Sequence, residues 1–225
     1  MKRKIMLLIL AGLLLAAAAA AVIVLRPRSE QLPELGQTLE VSDWALDEGW
    51  RAAEENGTRL LAVQSDGVTT SWNTQLRLSE SWQVDAVLRL YDSGREHGCT
   101  RMVFGDEFYN VCMCVTVEYS GTEYVRITAD ELLNRGTKSE TNGWSNFYTD
   151  EHWTRIDPKQ PLRLSVTHAA EDNLLMLTLS QNGSTLVQTF TGEAHQELLQ
   201  TLRTAGLGAC DADAVFTEFT VERFA

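Results

Sequence analysis

Between Lys138 and Arg155 the chain gathers Trp144, Phe147, Tyr148 and Trp153 with Asp150, Glu151 and His152. Aromatic rings of this kind stack on the apolar face of a flat ligand such as a sugar ring, while neighbouring carboxylates and amides bond its hydroxyls. Trp144, Tyr148, Trp153, Asp150 and His152 are therefore the candidate ligand-binding residues, expected on a loop. Asn142-Gly143 marks a turn directly before Trp144 and predicts an exposed indole. The same rings would serve equally to cover a sheet rim or fill a core. Asp150, Glu151 and His152 read either as a hydrogen-bonding or proton-transfer set or as solvated loop charge.

Other reactive groups are sparser. Asp211 and Asp213 flank Ala212, and Asp106-Glu107 forms a separate acidic turn. Calcium takes about six to eight oxygen ligands, and two aspartates do not supply them. No cofactor is expected, with calcium at Asp211 and Asp213 left open as an alternative. The four histidines (His97, His152, His168, His195) are scattered, and no spacing suggests a Ser-His-Asp or Cys-His arrangement. Gly206-Leu207-Gly208 lacks the third glycine of a phosphate-binding loop. No catalytic residue is assigned.

Charge narrows the partners. The chain of 225 residues has a formal net charge of −12. Five basic residues and no acid lie in the first 28 positions, which leaves 14 Lys+Arg against 31 Asp+Glu, a balance of −17, beyond them. Nucleic-acid affinity comes from Lys and Arg displacing counterions, so a nucleic-acid partner is excluded. Anionic lipid surfaces would repel the same body.

Lys2-Arg3-Lys4 precedes an unbroken apolar run over residues 5–25. A helix of that length spans roughly 30 Å, the thickness of a bilayer core. Residues 1–4 are expected in the cytoplasm, 5–25 as a single transmembrane signal anchor, and the C-terminal body outside the cytoplasm. A cleaved signal peptide is the alternative; its apolar region is usually about 7–15 residues, shorter than this run. Residues 26–37, with Pro27 and Pro33, read as a stiffened linker.

The body from 38 to 225 reads as all-β. Trp82, Val84, Ala86, Leu88 and Leu90 alternate with polar neighbours, as do Val111, Met113, Val115 and Val117, then Leu162, Leu164 and Val166, then Leu175, Leu177 and Leu179. Period two means a strand with one buried face. Asn182-Gly183 predicts a hairpin pairing Leu179 with Leu186. A loop at Ser120-Gly121-Thr122 predicts Val117 opposite Val125. A turn at 105–108 predicts Phe104 opposite Tyr109, which sets Cys99 opposite Cys114. Opposed residues have Cβ atoms near disulfide reach, so Cys99–Cys114 is the expected bridge, with Cys112–Cys210 as the remainder. Helical spacing of Leu198, Leu199 and Leu202 predicts one helix over 193–203, ended by Gly206 and Gly208. Residues 45–56 fit either a helical turn or a strand. The fold class expected is an antiparallel β-sandwich or jelly roll.

Gly206-Leu207-Gly208-Ala209, then Asp211 to Phe216, then Phe219-Thr220-Val221-Glu222 resemble the closing strands of concanavalin A-like domains, including laminin-G-like and glucanase-like jelly rolls. The resemblance covers residues 36–225. It implies binding of a carbohydrate, polysaccharide hydrolysis, or contact with an extracellular protein. Glucanases of this group carry Glu-x-Asp-x-x-Glu on one strand, and no such run occurs here. The reading leans away from an enzyme, toward a membrane-anchored module that recognises carbohydrate. A hydrolase of the same fold and a protein-interaction domain are the alternatives.

Overall fold

Alternating apolar and polar side chains sort the chain into two antiparallel sheets. The computed structural model describes residues 41–91, 96–121, 123–132, 144–157, 160–191 and 195–224. The apolar run 5–25 and the linker lie outside the described residues. Among the described residues no helix is long and apolar enough to cross a membrane.

One sheet holds eight strands. In order these are β1 (Trp44–Ala45), β4 (Val68–Asn73), β14 (Thr204–Cys210), β6 (His97–Gly105), β7 (Val111–Ser120), β8 (Tyr124–Leu132) and β10 (Thr154–Arg155), with β9 (Trp144–Thr149) also on β8. The other holds seven. Their order is β13 (Ser184–Thr191), β12 (Leu174–Gln181), β11 (Leu162–Ala169), β5 (Ser81–Leu90), β15 (Asp213–Phe224), β3 (Thr58–Gln64) and β2 (Trp50–Glu55). Residues 50–55, which the sequence leaves between helix and strand, are strand.

The four predicted apolar faces all point into the space between the sheets. Trp82, on β5 at the centre of one sheet, is wholly buried and stacks on Phe104 of β6 in the other, with ring centroids 5.0 Å apart. Trp44 meets Phe219 edge-on at 5.0 Å in a second contact between the sheets.

Hairpin registers are where expectation and structure part. Leu179 faces Leu186 as expected. Val117 faces Ile127, two residues from the predicted Val125, because this register sets Glu118 opposite Arg126. The two side chains form an ion pair at 2.6 Å. In the β6–β7 hairpin Phe104 faces Met113, not Tyr109, with a bulge at Gly105. The turn is longer because the Asp106 carboxylate organises it. It accepts hydrogen bonds from the Phe108 N–H at 2.8 Å, the Asn110 N–H at 3.0 Å and the Asn110 side-chain amide at 2.9 Å. Burial raises the Asp106 pKa, but these bonds outweigh it and hold the carboxyl below its ordinary range. Both shifts are even, so the side chains beyond the bulge keep their predicted faces while their cross-strand neighbours change; Cys112, at the bulge, joins the core instead.

The one α-helix among the described residues, α1 (Gln196–Thr201), ends two residues before the expected Arg203. Thr201 donates from its hydroxyl to the Glu197 and Leu198 carbonyls at the last turn, and Arg203 donates its N–H to Gly105 O. Gly206 and Gly208 do not end the helix; they lie inside strand β14.

Truncating the central inter-sheet contact opens a cavity. Trp82→Ala is expected to cost about 3–5 kcal/mol in urea unfolding, and Val68→Ala, at a position 69% exposed, less than about 0.5 kcal/mol. His168 adds a pH term. It is buried beside Trp82, with ring centroids 5.7 Å apart. Burial lowers its pKa below the ordinary 6.5, against a hydrogen bond to the Glu80 backbone. The unfolded chain therefore takes up a proton before the folded chain does, so stability is full above about pH 6.5 and declines as pH falls. The urea midpoint should drop between about pH 7.5 and 5.5, and His168→Leu should flatten that slope.

Candidate functional site

The outer face of the eight-stranded sheet is built from every residue that alternation turns away from the core. Strand pairing lines these residues up in rows. One row runs Trp72, Gly206, Val103, Cys114, Asp130, Asn146 across β4, β14, β6, β7, β8 and β9. The next runs Thr70, Gly208, Arg101, Thr116, Thr128, Thr149. A third holds Cys210, Cys99, Glu118 and Arg126. It is thus a face of hydroxyls, thiols, two arginines and two carboxylates.

The glycines of β14 make room for large side chains. A Cβ on Gly208 would lie 2.6 Å from Arg101 Cγ, so the Arg101 stem crosses the bare backbone there. A Cβ on Gly206 would lie 3.1 Å from Trp72 Cε3. Trp72 in turn meets Tyr109 edge-on at 5.7 Å, and Arg77 lies 5.2 Å over the Tyr109 ring.

Of the predicted binding residues, two border this face. Trp144 stands opposite Leu132 on β9 and is 47% exposed. Trp153 is 39% exposed, with the Arg126 guanidinium 4.7 Å over its ring. The others belong elsewhere. A bulge between Ala129 and Asp130 turns Tyr148, together with Phe147, toward the core. Asp150 is buried and accepts the His152 backbone N–H at 3.3 Å, so its carboxylate shapes the turn after β9. His152 is exposed. The segment is therefore not a loop: 144–149 and 154–155 are strands that extend the sheet beyond β8.

The sequence reading missed Asn146 and Asp130, which lie beside Trp144. Asn146 Nδ2 donates to Asp130 Oδ1 at 2.9 Å and to Tyr148 O at 3.0 Å, and Thr149 donates to Asn146 Oδ1 at 2.9 Å. Burial raises the Asp130 pKa, reinforced by Glu118 and opposed by the Asn146 hydrogen bond and the Arg101 charge. The only trace of this pair in the sequence is the alternation on β8 and β9.

The thiols are also rearranged. Cys99 faces Glu118 across β7 and Cys210 across β14, so the register that favoured Cys99–Cys114 does not form. Cys112 belongs to the core cluster while Cys210 is on the outer face, which removes Cys112–Cys210. No disulfide joins the four cysteines in this structure. Burial pushes Cys114 up to about 12, and burial with the neighbouring Cys99 and Asp211 pushes Cys210 up to about 11. Asp211 and Asp213 sit at the turn between β14 and β15, and among the described residues no group of three or more His, Cys, Asp or Glu could hold a metal ion.

No protein-family profile matches the chain, and no curated protein sequence does. Solved structures do. A legume lectin-like domain from Entamoeba histolytica matches at TM-score 0.54 and 9% identity over 82% of this chain and 92% of that one. The Emp46p carbohydrate recognition domain in its potassium-bound form matches at 0.52 and 16% over 85% and 97%. Lectin I from Ulex europaeus, in complex with the methyl glycoside of α-L-fucose, matches at 0.52 and 10% over 86% and 95%. The fold is concanavalin A-like. At these identities the likeness is one of architecture, and it agrees with the resemblance carried by residues 206–222.

Cross-strand register makes Cys99 and Cys210 the pair nearest to disulfide geometry. Peptide mapping after folding in oxidised glutathione is expected to recover a Cys99–Cys210 link and alkylatable Cys112 and Cys114. A Cys99–Cys114 link would contradict the register.

Proposed function

We propose that the chain is a carbohydrate-recognition module, held on the outer side of a cell membrane by the apolar run 5–25. The observation that carries the reading is the exposed Trp144 beside the Asn146–Asp130 pair on the outer face of a lectin-like sheet. An indole offers a flat apolar surface for one face of a pyranose, and the amide–carboxylate pair offers a donor and acceptors for its hydroxyls. Trp153 supplies a second stacking surface, steadied by Arg126. Three structural neighbours bear on the reading by their own descriptions, as a lectin-like domain, a carbohydrate recognition domain and a lectin holding a fucoside.

Binding is favoured over cleavage by the state of the carboxylates. Glycoside hydrolysis needs two working acids about 5–9.5 Å apart. On this face Glu118 is held by Arg126 and Asp130 by Asn146. The anchor is supported by the length of the apolar run and by the basic cluster before it.

The full-length chain in detergent, applied to an array of neutral and acidic glycans, should bind a subset saturably. Trp144→Ala and Trp153→Ala should each weaken that binding at least about tenfold, the loss of one well-stacked ring. Tyr91→Ala, at an exposed residue that follows β5 of the other sheet, should not. Absence of binding to every glycan would overturn the carbohydrate reading. In intact producing cells a membrane-impermeant label should reach the C-terminal domain; protection until lysis would overturn the extracytoplasmic placement.

A further inference from the structure

Arg101 lies in the middle of the outer face, and none of the described carboxylates forms an ion pair with it. Glu118, on the adjacent strand, is engaged at 2.6 Å by Arg126, and Asp130 is hydrogen-bonded by Asn146 at 2.9 Å. The hydrogen-bond partners of Arg101 are sulfur atoms: Nη2 donates to Cys99 Sγ at 3.2 Å, and Cys114 is the second. Burial pushes both thiols upward, Cys114 to about 12, so both are neutral near pH 7 and offset none of the guanidinium charge. Arg101 Nε is buried with no hydrogen-bond partner. A cation withdrawn from water on weak neutral acceptors is costly unless an anion completes it.

The surroundings make this a prepared position. Gly208 leaves the channel in which the Arg101 stem lies. Thr116 and Thr128 follow Arg101 in the same row, on β7 and β8, and both are buried, so the guanidinium is flanked by side chains withdrawn from water. Trp144 is on β9, three strand spacings of about 4.8 Å from Arg101, and its partner Leu132 lies four residues along β8 from Thr128, so a ligand that meets both the guanidinium and the indole is an oligosaccharide spanning roughly 20 Å.

We infer that Arg101 is the anion-binding centre of the saccharide site, and that the ligand is an acidic sugar whose carboxylate meets the guanidinium. The planar fork of Arg matches a carboxylate with two parallel hydrogen bonds, which an ammonium cannot reproduce. The choice of sugar rests on the carbohydrate reading above; the anion contact does not. The rest of the body is strongly acidic and repels polyanions, so a preference for an acidic glycan has to arise locally.

The test compares polygalacturonate with its fully methyl-esterified form, and dextran sulfate with dextran, on the full-length chain in detergent. Wild type is expected to bind polygalacturonate at least tenfold more tightly than the ester, and Arg101→Gln to abolish that ratio by weakening the acid form alone. Arg101→Lys keeps the charge and should lose at least threefold of the ratio, which also covers a glutamine variant that fails to fold. Equal affinity of wild type for acid and ester, unchanged in the variants, overturns the anion centre and leaves the carbohydrate reading standing. Preference for dextran sulfate without preference for polygalacturonate overturns the carboxylate assignment. If no polysaccharide binds, melting with sodium acetate against sodium chloride at equal ionic strength decides. A rise in Tm in wild type that is absent in Arg101→Gln supports the anion centre while the carbohydrate reading fails, and no rise overturns both.

Discussion

Trp82 has no exposed surface, and its stack on Phe104 joins the centre of one sheet to the centre of the other. The contact demands that β5 and β6 each turn the right parity of residues inward. Once that parity is set, alternation assigns every other side chain of both strands, and pairing passes the assignment to their neighbours. Arg101 faces outward because Met102 and Phe104 must face inward. Cys114, Thr116 and Glu118 face outward because Met113, Val115 and Val117 do not. The candidate site is in this sense the complement of the core.

Two further constraints shape that face. Gly206 and Gly208 lack the Cβ atoms that would collide with Trp72 and Arg101, so two large side chains lie flat on β14. The Glu118–Arg126 ion pair occupies the charge of both partners, and a surface pair of this kind adds little stability. Its larger consequence is that Glu118 does not pair with Arg101, whose charge acts on Asp130 without a direct ion pair. Hydroxyls and a lone guanidinium then dominate the middle of the sheet, and exposed indoles border it at Trp144 and Trp153.

The strand faces were legible because burial acts on each residue through its immediate alternation, and the Asn182-Gly183 hairpin because those residues favour the tight turn. The β6–β7 register was not. Its turn depends on how the Asp106 carboxylate gathers three donors, and the choice between turns of similar chemistry is made by strand contacts far along the chain. The displacement was even, so the faces survived while the thiol neighbours changed. Trp144 was legible as an exposed indole from the Asn142-Gly143 signal, whose residues lie outside the described ones. Tyr148 was not, because a one-residue bulge at Ala129–Asp130 reverses its side and no residue type announces that bulge.

The amino-acid sequence alone determined the acidic balance, the apolar N-terminal run, the all-β class and the inward face of β5, β7, β11 and β12. These are local or additive properties that a residue's type and its period carry. Only the tertiary structure decided which strands adjoin. β14 and β6 lie side by side although about a hundred positions separate them, and that adjacency brings Cys210 to Cys99 and Gly208 to Arg101. Strand order is set by how two sheets close over one shared core, a property of the whole chain that no single segment contains.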